Sequence, residues 1–278
     1  MTDSSLNQGL TPDRVTVAVL QLAPDPGEVK ANLERLLDLV EEHGPGADLV
    51  VAPELAITGY DLDLLGDRAV QLAEPADGPT VERLRGAAAR TRSTLMVGFL
   101  ERDGDRLFDS LRAVTPTGDV SVYRKSHLYP PELVVFAAGE ALGVIETPAG
   151  VLGPLICFEH AFPEVATTLA LAGARILVIP SAVPFGYEHL LQLRTRARAQ
   201  DNQIFAIACN MAGHGFCGRS LVADPRGEVL ASAGEEATVL VVELDMAAVA
   251  AERSREPSLR MRMPALYTSA EDTSAEGQ

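Results

Sequence analysis

Residues 151–164 read VLGPLICFEHAFPE: an apolar run, then Cys157, then a short polar turn closing on Pro163-Glu164. An apolar run of that length, bounded by turn signals, predicts a strand buried on both faces. The Ala/Leu-rich stretch 163–173 predicts a short helix, since proline is tolerated at a first helical position. Cys157 therefore stands at a strand-to-helix turn. A cysteine in an apolar run is most often an inert buried thiol. At such a turn, backbone N–H groups and the start of a helix favour a thiolate, which gives Cys157 a second reading as a nucleophile.

The same alternation extends in both directions. Upstream, 143–146 and 151–156 flank the turn Thr147-Pro148-Ala149-Gly150 as a hairpin, and 107–114 and 120–124 flank Pro116-Thr117-Gly118-Asp119 as another. Further back, 15–22 (VTVAVLQL) and 47–52 (ADLVVA) are buried strands. Between them a helix over 28–43 carries Leu33, Leu36, Leu37 and Val40 at helical spacing and stops at Gly44-Pro45-Gly46. After an irregular stretch come a helix over 80–92 and a strand over 94–101. Downstream, 175–179 is a strand, 188–202 an amphipathic helix and 204–209 a strand. Segments 219–223, 228–231 and 238–244 close a final meander. Strands alternating with helices and hairpins imply an α/β fold of mixed sheets covered by helices, within one domain over 13–267. Tails 1–12 and 268–278 are expected to be flexible.

Composition removes several function classes. A net charge of −16 and a pI near 4.7 repel nucleic acid and anionic lipid, so neither a nucleic-acid nor a membrane partner is expected. No apolar run approaches the ~18 residues of a membrane span, and the first residues lack a signal-peptide pattern. Three cysteines, Cys157, Cys209 and Cys217, suit a reducing compartment, so a cytoplasmic location is expected. The chain has no GxxxxGK[ST], GxGxxG, CxxC or GxSxG, and its five histidines never fall at HxxxH or HxH spacing. No cofactor and no metal site is expected.

What remains is a set of ionisable residues at strand ends. Glu54 follows the run LVVAP, Lys125 follows VSVYR, and Cys157 follows VLGPLI. Singly, each has an ordinary reading: a loop-capping acid, a solvated lysine, a core thiol. Together they can do chemistry without a histidine. A carboxylate takes the thiol proton, and an ammonium holds the thiolate and a developing oxyanion. His127 and His160 read as structural neighbours of that set, Cys209 and Cys217 as structural thiols. Arg194, Arg196 and Arg198 read as a solvated helix face with internal ion pairs.

Three segments, VVAPELAITGY (50–60), YRKSHLYPPE (123–132) and GPLICFEHAFPE (153–164), resemble in order and spacing the signature segments of the nitrilase superfamily of carbon–nitrogen hydrolases. IPSAVP (179–184), RARAQDNQIFAIACNMAG (196–213) and GRSLVADPRGEVLA (218–231) extend the likeness over about 15–244. The resemblance implies a four-layer αββα sandwich and a Glu54–Lys125–Cys157 triad, with Glu132 as a second glutamate positioning lysine and substrate. It implies an oxyanion donor in the Phe158 backbone N–H, and substrate contacts from Tyr60 and Ala182. It also implies a homodimer through the helix that begins near Pro163. The sequence departs from the family pattern at three places. Glu159-His160 follows Cys157-Phe158 in the manner of true nitrilases; Asp109 stands where the family often has Asn; Pro184-Phe185-Gly186-Tyr187 lacks the frequent Trp. The expected activity is hydrolysis of a small, short aliphatic, non-peptide carboxamide to acid and ammonia through a cysteine thioester. Nitrile or N-carbamoyl hydrolysis is the alternative. A catalytically silent dimeric binding protein is the alternative of another class, against which the intact Glu, Lys and Cys argue.

Overall fold

In strand β1 (Arg14–Gln21), Val15, Val17 and Val19 face one way and Ala18 and Leu20 the other, and all five are buried. The valines pack against a second sheet, while Ala18 and Leu20 pack against helices. That double coverage is why the run shows no polar alternation. The computed structural model describes residues 12–267; the expected flexible tails lie outside the described residues, save for Pro12.

The first sheet collects β1, β2 (Leu49–Val51), β3 (Thr94–Asp103), β4 (Arg106–Val114), β5 (Val120–Arg124) and β14 (Thr238–Asp245), in the order β14-β1-β2-β3-β4-β5. Its β1, β2 and β3 run parallel; the other pairings are antiparallel. The second collects β6 (Ile145–Thr147), β7 (Gly150–Pro154), β8 (Ile176–Ser181), β9 (Phe205–Asn210), β12 (Leu221–Ala223) and β13 (Val229–Ser232), in the order β13-β12-β9-β8-β7-β6. The short strands β10 (Ala212–Gly213) and β11 (Phe216–Cys217) form a hairpin of their own. Helices α1 (Val29–His43) and α3 (Pro79–Thr91) cover the outer face of the first sheet. Helices α4 (Pro163–Leu171) and α5 (Glu188–Asn202) pack on the second. The result is the expected αββα sandwich of two mixed sheets.

The structure corrects three expectations. The irregular stretch before residue 80 contains α2 (Leu62–Leu72), capped by the Asp61 side chain accepting from the Leu64 N–H at 2.9 Å. Leu62, Leu65, Ala69 and Leu72 fall at helical spacing, but only Leu65 and Ala69 are buried and Gly66 in mid-run lowers the helix signal. Strand β14 does not complete a meander with β13; it crosses to the first sheet and pairs with β1 from Arg14↔Asp245 to Gln21↔Thr238. There Leu240, Val242 and Leu244 join the inter-sheet core beside the β1 valines. The arginine run of α5 is a solvated face only in part, with Arg196 exposed. Arg198 is buried and donates to the His160 carbonyl at 3.1 Å, and Arg196 donates to the Gly227 carbonyl at 2.8 Å. Among the described residues the run has one ion pair, Arg198–Asp201.

Gly98 of β3 ties this frame to the site. A Cβ there would lie 2.4 Å from the Pro53 carbonyl oxygen and 2.6 Å from the Leu55 nitrogen, so only glycine lets β3 pass behind Glu54. Backbone cannot give way as a side-chain tip can. Gly98→Ala is expected to cost ~1–3 kcal/mol as overpacking. Thermal unfolding checks it: a variant melting with the parent protein means that the approach is looser than described.

Candidate active site

Glu54, Lys125 and Cys157 come from the carboxyl ends of three strands, β2 in one case, β5 and β7 in the others, where side chains project beyond the sheets. Two of the three turns are left-handed at non-glycine residues, with φ of 44° at both Leu55 and Cys157. Such backbone is typically stored at sites where a side chain must be aimed, at ~1–3 kcal/mol each. Cys157 opens a 3₁₀ turn, Cys157–Ala161, so the N–H groups of Cys157 and Phe158 precede its first internal bond, Glu159 N–H to the Ile156 carbonyl. Lys125 is fixed through its backbone, donating to the Asp109 carbonyl at 2.9 Å and accepting from the Gly139 N–H at 2.7 Å.

The Lys125 ammonium spends all three of its protons on carboxyl groups. It lies 2.5 Å from Glu54 Oε1, 2.7 Å from Glu132 Oε1 and 3.3 Å from Asp109 Oδ2, and all four residues are buried. Burial alone would push Lys125 down, but the charges of Glu54, Asp109, Cys157 and Glu132 outweigh it and hold it well above its usual value. Burial pushes Glu132 up against the pull of Lys125. The carboxyl oxygens of Glu54, Asp109 and Glu132 all lie within 4.8 Å of one another, a spacing that could hold a metal ion. In this arrangement the ammonium is the cation they share.

Cys157 is half-buried, whereas Cys209 and Cys217 are fully buried. Burial pushes the Cys157 thiol well above its usual range, and Glu54 adds to the effect; Lys125 and the Ala182 backbone N–H oppose it. The expected thiolate is thus corrected: burial first, then the Glu54 charge, favours the protonated thiol, which needs a base. Burial also raises Cys209, and lifts Cys217 to about 11. Iodoacetamide is expected to label Cys157 alone, at a rate climbing with pH. Peptide mapping checks it, and earlier labelling of Cys217 would contradict it.

Two residues missing from the sequence-derived site belong to this cluster. Asp109 is one. Glu159 is the other, accepting from Tyr123 Oη at 2.7 Å, the Ser126 N–H at 2.8 Å, Ser126 Oγ and the Ile156 N–H at 2.6 Å. Its carboxyl clamps the lysine strand end to the cysteine turn, which accounts for an acid two residues after Cys157. Both Asp109 and Glu159 stand out in the sequence as departures from the family pattern, with no role assigned to either. His160 is buried and pushed down to about 3 by that burial and by Arg194, so it stays neutral. His127 stacks on Phe162 with ring centres 4.3 Å apart and bonds Ser126 Oγ through Nδ1.

Cys157 opens on a cavity of about 370 Å³, which Glu132, Tyr60, Phe158, Ala182 and Arg194 also line. Tyr60 Oη donates to Glu132 Oε1 at 2.7 Å, so the tyrosine borders both lysine cluster and cavity. The wall is otherwise mainly aromatic and aliphatic, with Tyr129, Tyr187, Leu190 and Phe216. Arg194 reaches only His160 Nε2, at 3.4 Å, and among the described residues no carboxylate pairs with it. A larger groove of about 700 Å³ runs along β5. No cysteine, lysine or histidine lines it, and its arginines are paired, Arg106 with Glu140 and Arg124 with Glu101.

Comparison with known proteins places this geometry in context. A family model described as carbon-nitrogen hydrolase matches residues 16–254. The chain is 33% identical over 235 residues to an (R)-stereoselective amidase of a Pseudomonas species, covering 83% of this chain and 85% of that one. It is 34% identical over 240 residues to a nitrilase of Pyrococcus abyssi, covering 84% and 90%. The crystal structure of Saccharomyces cerevisiae Nit3, a member of branch 10 of the nitrilase superfamily, matches with a TM-score of 0.83 at 29% identity, over 89% of this chain and 96% of that one. Among the described residues no helix is long and apolar enough to cross a membrane.

Proposed function

The chain belongs to the carbon–nitrogen hydrolase family, and on that footing we propose that it converts a small non-peptide carboxamide to a carboxylic acid and ammonia. The observation that carries this reading is the buried Glu54–Lys125 ion pair, at 2.5 Å, whose charges act on a half-buried Cys157 that lines a small cavity. Glu54 accepts the thiol proton, and the sulfur attacks the amide carbon. The Lys125 ammonium and the Phe158 N–H hold the resulting oxyanion; losing one such donor costs roughly 3–4 kcal/mol. Since every Lys125 proton is already engaged, the long 3.3 Å contact to Asp109 is the one released to the oxyanion. The tetrahedral adduct expels ammonia, which takes the proton held by Glu54, and leaves a thioester. Glu54 then removes a proton from water, hydroxide displaces the thiolate, and the proton returns to sulfur. Glu132 keeps Lys125 and Tyr60 in place.

The cavity favours short aliphatic acyl groups, and its single unpaired cation favours one kind among them. Arg194 in a mainly aromatic and aliphatic wall suits an amide whose far end is a carboxylate, which a guanidinium grips with paired hydrogen bonds. Ammonia release from propionamide, succinamate, benzamide and propionitrile tests both parts. Amides are expected to exceed nitriles, and succinamate to exceed propionamide by roughly ten- to hundredfold in kcat/KM, the worth of a hydrogen bond to a charged group. Arg194→Leu should erase that difference and spare propionamide. If propionitrile outruns propionamide, nitrile hydrolysis replaces the amidase reading. We further place one catalytic domain over 13–267 and a homodimer through the face of α4 and α5, where Leu171 and Leu193 are exposed. Sedimentation equilibrium distinguishes a dimer from a monomer.

A further inference from the structure

The lysine cluster carries more negative charge than one ammonium can answer. Glu54, Asp109 and Glu132 surround Lys125 with no exposure to water, so ionising all three would leave two charges in excess in a low-dielectric interior. The hydrogen-bond inventory points to where a proton resides. Glu54 Oε2 and Asp109 Oδ1 are the buried carboxyl oxygens of the cluster without a donor. A carboxyl oxygen of each lies within 4.8 Å of one of the other. One proton on Asp109, donated to Glu54, gives both groups the partner that they lack.

We propose that Asp109 is protonated in the resting enzyme and acts as a positioning residue, accepting from Lys125 with one oxygen and donating to Glu54 through the other. In this form it does what an asparagine amide does, one acceptor and one donor on a neutral group, and it holds Glu54 ionised as the base. Burial, then Glu54, push the Asp109 carboxyl well up, consistent with that state. The groups facing it are Glu54 from the turn after β2, Lys125 from the end of β5, Glu132 from the 3₁₀ turn Pro130–Val134 and, across the site, Cys157. Their net field is negative, which further opposes ionisation of Asp109. The role rests on the amidase reading; the protonation state does not.

Three variants and two readouts test it. Asp109→Leu, which offers neither acceptor nor donor, is expected to lower kcat by ~100-fold or more. Asp109→Asn should recover most of that loss. The sign in pH follows from the proton: wild-type turnover falls as pH rises through the Asp109 ionisation, whereas Asp109→Asn, neutral at every pH, holds its rate further into the alkaline range. Asp109→Glu, one methylene longer at a fully buried position, should not rescue. Infrared difference spectra, wild type minus Asp109→Asn, should show a carboxylic-acid C=O stretch at neutral pH without any substrate present. A difference spectrum with only carboxylate bands, or an Asn variant as impaired as the Leu variant with an unmoved alkaline limb, overturns the proposal. A wild-type protein that releases no ammonia from any amide sinks the functional reading instead, and the infrared test of the proton still stands.

Discussion

Lys125→Ala is expected to lose about 100- to 1000-fold or more in kcat, the range for removing one oxyanion donor, and to lose stability as well. Lys125 is the only cation among three buried carboxyl groups, at 2.5, 2.7 and 3.3 Å. Breaking a buried ion pair by deleting one partner typically costs ~3–5 kcal/mol. The pH dependence then follows by sign. Without the ammonium, the native-state carboxyls rise above their unfolded values, so the native state binds more protons than the unfolded one. Stability of the variant should therefore improve as pH falls from neutral toward 5, the reverse of a protein held by ionised, paired carboxylates. Thermal unfolding across that range, beside ammonia release at neutral pH, measures both effects. Near-parental turnover in a folded Lys125→Ala protein would remove the lysine from the mechanism.

Glu54→Gln separates two things that Glu54 does to Cys157. As the base it enables attack, and general base catalysis contributes roughly 100- to 10,000-fold; amide turnover should fall by that factor. As a buried negative charge it also raises the thiol, after burial the largest influence on it. Neutral glutamine removes that charge and leaves Lys125 in place, so the thiol should ionise at lower pH. Alkylation by iodoacetamide, which requires only thiolate, should become faster at neutral pH in the variant while hydrolysis is lost. Both rates falling together would mean that Glu54 merely shapes the pocket; turnover within tenfold of the parent would mean that another group is the base.

The parts of the site legible in the sequence are those that end strands. Glu54, Lys125 and Cys157 each close an apolar run, and the preceding run says that the residue is presented at a sheet edge. Family resemblance supplied the pairing among them, and the geometry brings Glu132, Tyr60 and Ala182 to the same cavity. Asp109 and Glu159 showed in the sequence only as departures from the family pattern; their roles were not legible because their partners come from elsewhere in the chain: Asp109 meets Lys125 through β4–β5 register, and Glu159 closes on Tyr123 and Ser126, 36 and 33 residues away. The same holds for β14, whose alternation fits either sheet and is decided by the vacant edge of β1. The low thiol pKa expected from a helix start failed for a related reason. Cys157 opens a 3₁₀ turn of five residues rather than a helix, and burial, then the Glu54 carboxylate, raises the thiol.

The central claim is a covalent acyl group on Cys157, and peptide mapping of an acid-quenched reaction tests it most directly. During turnover of a good amide substrate, the peptide containing Cys157 should carry the acyl group of that substrate, removable by hydroxylamine as a thioester is. Cys157→Ala should carry none and release no ammonia. An acyl group on another residue, or undiminished ammonia release from Cys157→Ala, contradicts the account.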